Sequence, residues 1–263
     1  MDLGLKNRVV LVAASSQGIG KAVAFAFARE GARLALCART EPALLSAAAE
    51  IRRETGAAVL AKALDVTDSG AVHDFVNEIV SQWGTVDICV ANAGGPPFKS
   101  FAETSLADWR AAAELNLMST VALAKETLPL MQQQRWGRFI AITSLTVKQP
   151  VDGLVLSNAV RAGVSGLIKS LANEYGPYNV LVNNVCPGYT ATARLIELAG
   201  TLAAREGVPV DQIRSRWTSQ IPLRRLGEPE ELANLVVFLA SERASYITGT
   251  SIAVDGGIVR GLY

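Results

Sequence analysis

The segment AASSQGIG at residues 13–20 has the residue types of a phosphate-binding turn. It follows an apolar run at 9–13, and Gly18 and Gly20 open a segment of helical period at 19–29. The N–H groups at a helix N-terminus attract negatively charged phosphate, and glycine lets that phosphate come close to the backbone. Two glycines at a turn can also serve only to relieve local crowding. The position of this turn between a first strand and a first helix favours binding of a pyrophosphate.

Apolar runs of strand length alternate along the whole chain with longer segments of helical period. Such alternation gives right-handed crossovers and a mostly parallel sheet covered by helices on both faces, with ligands bound beyond the carboxyl ends of the strands. We therefore predict an α/β fold, a single-domain Rossmann-like doubly wound parallel sheet of about seven strands. The predicted strands are 9–13, 33–37, 58–63, 86–91, 139–143, 180–186 and 251–254, and the predicted helices are 19–29, 43–53, 72–80, 106–131, 160–175 and 230–239.

The composition favours a folded protein that binds a small molecule. Half of the residues are hydrophobic, and the net charge of +1 at pH 7 gives no reason to expect nucleic acid or a membrane as partner. Cys37, Cys89 and Cys186 lie in or beside apolar runs and form no CxxC pair, which is typical of buried thiols in a reducing compartment. No stretch has the length of a membrane span and the N-terminus has no signal-peptide pattern, so we expect a cytoplasmic protein.

The domain organisation is simple, with one irregular segment. No repeat, low-complexity tract or linker divides the chain, so we expect residues 1–263 to form one domain. The alternation of strands and helices is interrupted at 188–226, which is rich in Ala, Thr and Arg. An insertion at this point would overhang the ligand crevice, and such insertions commonly act as lids. We therefore predict a lid at about 188–226.

Several motifs occur in the order and spacing of one known enzyme family. AASSQGIG is similar to its TGxxxGxG turn, and Asp65, the ANAG segment at 91–94 and Asn116 follow at the family's spacing. Covering nearly the whole chain, these motifs resemble the short-chain dehydrogenase/reductase family, and within it the 3-oxoacyl acyl-carrier-protein reductases. The further matching motifs are Ser144 at the end of the fifth predicted strand, PG at 187–188, RLGEPEELA at 225–233 and SYITGTSIAVDGG at 245–257.

The resemblance implies that a nicotinamide dinucleotide binds along the carboxyl edge of the sheet. Asp65 would meet the adenine, although it could equally cap a turn, and Thr192 would reach the nicotinamide carboxamide. One departure is Ala14, where the family has glycine, so the turn must keep a negative φ there or accept strain. The implied cofactor-binding residues are Ser15, Ser16, Gln17, Gly18, Ile19, Gly20, Arg39, Asp65, Val66, Asn92, Ala93, Gly94, Arg161, Pro187, Gly188, Thr190 and Thr192.

The choice of cofactor follows from the end of the second predicted strand. Ala38 stands at the family's acidic position, so no carboxylate is present there to accept hydrogen bonds from the ribose hydroxyls of NAD(H). Arg39 follows, and a guanidinium suits the additional 2′-phosphate of NADP(H). The alternative is that Arg39 is a solvated loop arginine. We predict that NADP(H) is preferred over NAD(H).

The catalytic half of the family pattern is only partly present. Asn116 and Ser144 stand at the positions of the family's water-relay asparagine and substrate-holding serine. The family's YxxxK pair is replaced by Ser157 and Arg161. A serine hydroxyl is a much weaker acid than a tyrosine whose pKa a lysine lowers, and it is shorter by a ring. Arg161 keeps the positive charge for the nicotinamide ribose but cannot pass on a proton.

Two other residues are candidates for the missing proton donor. Lys148 lies in the loop after Ser144, and Tyr189 follows the PG turn; each has an alternative role, as a solvated charge and as an apolar pocket wall. His73, the single histidine, is far from every motif and is expected at the surface, and no cluster has metal-ligand spacing. We therefore expect no metal.

Two functions fit this pattern. The first is an NADP(H)-dependent oxidoreductase with an atypical active site that acts on a carbonyl or an alcohol. The second is a catalytically impaired dinucleotide-binding homologue that acts as a sensor or as a partner subunit. The resemblance also implies a homotetramer, because the helices predicted at 106–131 and 160–175 pair between subunits in the family.

Overall fold

The computed structural model describes residues 2–262, and within them a seven-stranded parallel sheet forms the centre of the molecule. Every strand falls where an apolar run predicts one, and the predicted α/β class is confirmed. The strands are β1 Val9–Ala13, β2 Arg33–Ala38, β3 Val59–Ala63, β4 Ile88–Ala91, β5 Gly137–Ile142, β6 Val180–Pro187 and β7 Ser251–Val254. Their order in the sheet is β3-β2-β1-β4-β5-β6-β7, so the strand order reverses between β1 and β4. Ligands of such sheets bind at that reversal.

Helices connect the strands and cover both faces of the sheet. No described helix is long and apolar enough to cross a bilayer. The α-helices of the described residues are α1 Gly18–Arg29, α2 Glu41–Thr55, α3 Ser69–Trp83, α4 Leu106–Ala113, α5 Ser119–Gln134, α6 Val155–Tyr175, α7 Ala193–Glu206, α8 Val210–Gln220 and α9 Pro229–Ala240.

The sheet separates two hydrophobic layers, as the alternation along β1 illustrates. Val10 and Val12 pack against α1, α2 and α9, whereas Val9 and Leu11 pack against α3, α5 and α6. Successive side chains of a strand point to opposite faces, so a parallel strand covered on both faces must be apolar throughout. All five residues of β1 are buried.

The helix predicted at 106–131 is interrupted in the structure. α4 ends at Ala113, a π-helical turn occupies Glu114–Met118, and α5 begins at Ser119. Hydrophobic periodicity does not reveal a π turn, because one additional residue per turn changes the apolar pattern only locally. This turn carries Asn116, whose Nδ2 donates to the carbonyl oxygen of Gly94 at 2.7 Å.

The irregular segment 188–226 contains α7 and α8, which pack on each other through a small hydrophobic cluster. Ala199 and Ala203 of α7 meet Ile213 and Trp217 of α8, and the ring of Tyr189 stacks on Trp217 with centroids 5.1 Å apart. The segment therefore has its own apolar core beside the carboxyl edge of the sheet.

Candidate active site

A cavity of about 260 Å³ lies beyond the carboxyl ends of β1, β2 and β4, where the strand order reverses. The turn from β1 into α1 lines it. Gly18 has a φ of +55°, and a Cβ on Gly20 would lie 2.2 Å from the carbonyl oxygen of Ala14, so both positions require glycine. The predicted cofactor-binding residues that line this cavity are Ser16, Gln17, Gly18, Ile19, Gly20, Arg39, Asp65, Val66, Asn92, Ala93, Gly94 and Thr192.

Two neighbouring residues of this turn, Ala14 and Ser15, have conformations that the sequence left open. Ala14 has a φ of +50°, so of the two alternatives the turn takes the strained, left-handed one. Ser15 does not line the cavity, because its side chain is buried and its Oγ donates to the carbonyl oxygen of Cys37 at 3.3 Å. The Ser15 side chain thus ties the turn to β2, and the contact of Ser15 with a cofactor stays a prediction.

Arg39 and Asp65 lie at the mouth of this cavity. The Arg39 side chain is 70% exposed, and its Nη1 is 4.0 Å from Oδ2 of Asp65. The other carboxylate oxygen of Asp65 accepts hydrogen bonds from the backbone N and the Oγ1 of Thr67, at 3.0 and 2.9 Å. Asp65 thus caps its turn, and the Arg39 guanidinium remains accessible to a ligand.

A second cavity of about 210 Å³ adjoins the first at the carboxyl ends of β5 and β6. The two share part of their walls, including Asn92, Gly94 and Thr192. Thr192 is also the N-cap of α7, with its Oγ1 accepting from the backbone N of Leu195 at 3.3 Å. The other residues of the sequence prediction that line the second cavity are Ser144, Ser157, Arg161, Pro187, Gly188 and Thr190.

Arg161 is the most deeply placed charge of the second cavity, with 7% of its surface exposed. Its Nη1 donates to the carbonyl oxygens of Ile142 and Thr143 at 3.2 and 2.7 Å, and its Nη2 donates to that of Gly94 at 3.2 Å. Burial, followed by repulsion from Arg194, lowers the pKa of Arg161 to about 10, so the guanidinium stays charged at neutral pH. Arg161 therefore links the carboxyl ends of β4 and β5.

Ser157 and Ser144 are joined through Thr146, a residue that the sequence analysis does not single out. The Oγ of Ser157 is 3.2 Å from Oγ1 of Thr146, and the backbone N of Thr146 donates to Oγ of Ser144 at 3.2 Å. Ser157 is only 5% exposed. The short side chain at 157 is thus held by the loop after β5, and no motif could have indicated this because Thr146 lies outside the family pattern.

Asn116 is connected to Arg161 through one shared acceptor. Its Nδ2 and the Nη2 of Arg161 both donate to the carbonyl oxygen of Gly94. The Oδ1 of Asn116 is buried and has no hydrogen-bond partner among the described residues. Buried amide oxygens are rarely left without a donor, so this atom is a site for a water or a ligand hydroxyl.

The alternative proton donors have different surroundings. Lys148 is half-buried and lines neither cavity. Tyr189 lines the second cavity, but burial raises the pKa of its phenol, so it is not an activated acid. His73 lies at the surface, with its Nδ1 2.8 Å from Glu126. Within residues 2–262, no group of three or more His, Cys, Asp or Glu side chains is arranged to hold a metal.

Arg194 is a further residue of the site that sequence analysis missed. It is the second residue of α7, it lines both cavities, and its Nη2 donates to the carbonyl oxygen of Pro96 at 3.0 Å. A Cβ on Gly95 would be 2.8 Å from the same nitrogen, so the guanidinium lies directly against this glycine. The only sequence signal was its position two residues after Thr192.

Comparison with known proteins agrees with this architecture. A family model described as Enoyl-(Acyl carrier protein) reductase matches residues 13–259. The 3-oxoacyl acyl-carrier-protein reductase of Aquifex aeolicus is 35% identical over 258 residues, 98% of this chain and 100% of the relative. That of Escherichia coli is 33% identical over 256 residues, 97% and 99% of the two chains. The structure of L-sorbose reductase from Gluconobacter frateurii, complexed with NADPH and L-sorbose, aligns over 100% of both chains with a TM-score of 0.95 and 35% identity.

The family model and the two relatives thus extend over almost the whole chain. The chain belongs to the short-chain dehydrogenase/reductase family, as a homologue of the 3-oxoacyl acyl-carrier-protein reductases.

Proposed function

We propose that this protein is an NADP(H)-dependent oxidoreductase that acts on a carbonyl or alcohol substrate through an atypical active site. The observation that carries the proposal is the shared wall between the two cavities, one lined by the glycine turn and the other by Ser144. A dinucleotide lying in the first cavity would extend into the second and meet a substrate there. The similarity to L-sorbose reductase, whose structure contains NADPH, supports this cofactor.

The residues present fit an extended dinucleotide with an additional phosphate. The N-terminus of α1 at Gly18 offers backbone N–H groups and a positive dipole end to a pyrophosphate. Arg39 offers an accessible guanidinium to the 2′-phosphate, since its nearest carboxylate oxygen is 4.0 Å away. Val66, which lines the first cavity, would meet the adenine end of the cofactor, and Thr192, which lines both cavities, would meet the nicotinamide end. NADPH supplies the hydride that a carbonyl carbon takes up in the reduction.

The residue that donates the proton in the family is missing from this site. The oxygen of the substrate must gain a proton as its carbon gains the hydride, and Ser144, which lines the second cavity, would hold that oxygen. Ser157 is a weak acid without a ring to extend it, and its hydroxyl is paired with Thr146. The unpartnered Oδ1 of Asn116 is a place for a water that delivers protons from solvent. We therefore expect slow turnover.

The second function, binding of the cofactor with little or no turnover, rests on Arg161. Three backbone carbonyls engage its guanidinium, which holds the sheet edge together instead of activating an acid. A protein of this kind would keep the dinucleotide site and serve as a sensor or as a subunit of a mixed assembly. The two functions share the cofactor and differ in turnover.

The preference for NADPH over NADH tests the proposed cofactor. NADPH should bind at least about five-fold more tightly than NADH, which corresponds to about 1 kcal/mol from a solvent-exposed guanidinium-phosphate pair. Fluorescence titration of both cofactors measures this preference. Arg39→Ala should abolish it, whereas Arg53→Ala, whose side chain is 71% exposed on α2 and does not line the cavity, should leave it unchanged. Equal affinities, or an NADH preference that survives Arg39→Ala, would contradict the assignment.

Three further features belong to the same proposal. We expect a homotetramer, and we expect residues 188–226 to act as a lid, since their small core stands beside the second cavity. The buried free thiols of Cys37, Cys89 and Cys186 suit a cytoplasmic location.

A further inference from the structure

The charged residues that line the second cavity are all positively charged. Among its lining residues Arg161 and Arg194 are cationic, and no Asp or Glu contributes to the wall. Binding sites generally present charge of the sign opposite to that of the ligand. The positive charge of this wall therefore indicates a negatively charged substrate.

Arg161 has no acidic partner in the described part of the chain. Neither a carboxylate within 4.0 Å nor an acidic hydrogen-bond acceptor is present for it there. Its three hydrogen bonds to carbonyl oxygens occupy three of the five N–H groups of a guanidinium, so two remain for a ligand. A buried cation without a counter-ion is costly, and an anion bound beside it would remove part of that cost.

Arg194 adds a second, more accessible guanidinium. It is exposed to solvent, and its described contact is the hydrogen bond to the carbonyl of Pro96. Burial lowers the pKa of Arg194, and attraction to Glu197, one turn along α7, offsets part of this effect, although the two side chains form no ion pair within 4.0 Å in the described structure. Both guanidinium groups line the second cavity, and burial, followed by repulsion from Arg194, lowers the pKa of Arg161. An anionic group between them would relieve this repulsion.

We propose that the substrate carries a carboxylate, bound between Arg161 and Arg194, and that its carbonyl lies toward Ser144. The substrate class is then a small oxo acid, or the hydroxy acid formed from it. The inference rests on the proposed NADP(H)-dependent function and assigns its substrate class. The carbonyl carbon takes the hydride from NADPH and the oxygen takes a proton from solvent, which yields the hydroxy acid and NADP⁺.

Two observations distinguish this carboxylate from a cofactor phosphate and from a long acyl chain. Arg161 lines the second cavity and not the first, which contains the glycine turn for the pyrophosphate, whereas Arg194 lines both. The second cavity measures about 210 Å³, below the roughly 300–1,000 Å³ of pockets for drug-sized ligands, and the nicotinamide end of the cofactor would take up part of this volume. Guanidinium groups bind planar carboxylates through paired hydrogen bonds. A compact acid fits both the charge and the size.

The test compares acids with their own methyl esters and does not depend on turnover. The protein, saturated with NADP⁺ to form a complex that cannot react with an oxo compound, is titrated calorimetrically with pyruvate, 3-oxobutanoate and 4-oxopentanoate and with the methyl ester of each. At least one acid should bind about tenfold more tightly than its ester, equivalent to about 1.4 kcal/mol. Equal or tighter binding of every ester overturns the proposal.

Two variants test whether Arg194 is responsible for the preference for acids over esters. Arg194→Gln should reduce the preference for the acid to about threefold or less, equivalent to about 0.7 kcal/mol, and any loss of NADP⁺ affinity in this variant should be smaller than its loss of acid affinity. Arg214→Gln removes the same charge from an exposed position of α8 outside the cavity and should leave the preference intact. A loss of NADP⁺ affinity in Arg194→Gln as large as the loss of acid affinity would assign Arg194 to the cofactor phosphates and overturn the proposed site.

Two further results separate this proposal from the proposed function. Failure of the wild-type protein to bind either NADPH or NADP⁺ would refute the NADP(H)-dependent function, and the substrate class that rests on it would fall with it. Normal cofactor binding without discrimination between acids and esters would refute only the substrate class. Tighter binding of dihydroxyacetone phosphate than of every oxo acid would show a phosphate site and overturn the carboxylate assignment.

Discussion

Restoring the family's acid and cation at positions 157 and 161 should restore much of its chemistry. A positioned general acid contributes about 10²–10⁴-fold to the rate, or about 3–5 kcal/mol of the activation barrier. The wild-type protein should therefore reduce ordinary ketones and 3-oxoacyl thioesters at least about a hundredfold more slowly than a relative with the full set of catalytic residues. Ser157→Tyr combined with Arg161→Lys should raise that rate by an order of magnitude or more, and each change alone should do much less.

The double substitution should also lower the stability of the protein, because it removes hydrogen bonds that the structure shows. The guanidinium of Arg161 bridges carbonyls at the ends of β4 and β5, and a single ammonium nitrogen will lose at least one of these charge-assisted bonds, at about 1.5–3 kcal/mol. Replacing Ser157 removes its bond to Thr146, worth about 0.5–1.5 kcal/mol. With about 2–4 °C per kcal/mol for a domain of this size, we expect the melting temperature to fall by roughly 5–15 °C.

The assay follows NADPH oxidation by its absorbance, below the melting temperature of every variant. Ser157→Phe with Arg161→Lys is the matched control, because it fills the same space with a ring that lacks the hydroxyl. The reasoning is refuted if the tyrosine variant, folded and able to bind NADPH, is no faster than this control, and the cofactor-binding function is then favoured. A fast wild-type rate would show that another group transfers the proton, and Lys148 and Tyr189 would be substituted first.

Two further predictions concern stability and assembly. Ala14→Gly should raise the free energy of unfolding by about 0.5 kcal/mol, because relief of about 1 kcal/mol of left-handed strain exceeds the added freedom of glycine in the unfolded chain. Thermal unfolding measures this gain, and Ala13→Gly, inside β1, should instead destabilise by about 0.5–1 kcal/mol; equal losses in both would contradict the strain. Sedimentation at micromolar concentration should show a tetramer, and a monomer alone would contradict the expected assembly.

The sequence was sufficient for the fold and for most of the walls of the first cavity. Strand and helix periods are local, so each predicted strand is confirmed within a few residues of its ends. The glycine turn was identifiable because Gly18 needs a left-handed φ and Gly20 lies against the carbonyl oxygen of Ala14, and both conditions arise within the turn itself. Two local details could not be predicted in this way: the Ser15 side chain is buried against Cys37, and Asn116, which donates to Gly94, lies in a π turn.

The polar contacts of the second cavity were decided only by the tertiary structure. Arg161 meets the carbonyl of Gly94, 67 positions earlier in the chain, and Arg194 meets that of Pro96, 98 positions earlier. Spacing and periodicity describe neighbours along one element, whereas these partners are brought together by crossovers that place the ends of parallel strands side by side. The sequence alone therefore determined that a tyrosine and a lysine are missing, and the packing of the strand ends decided that two arginines face one cavity without an acidic residue.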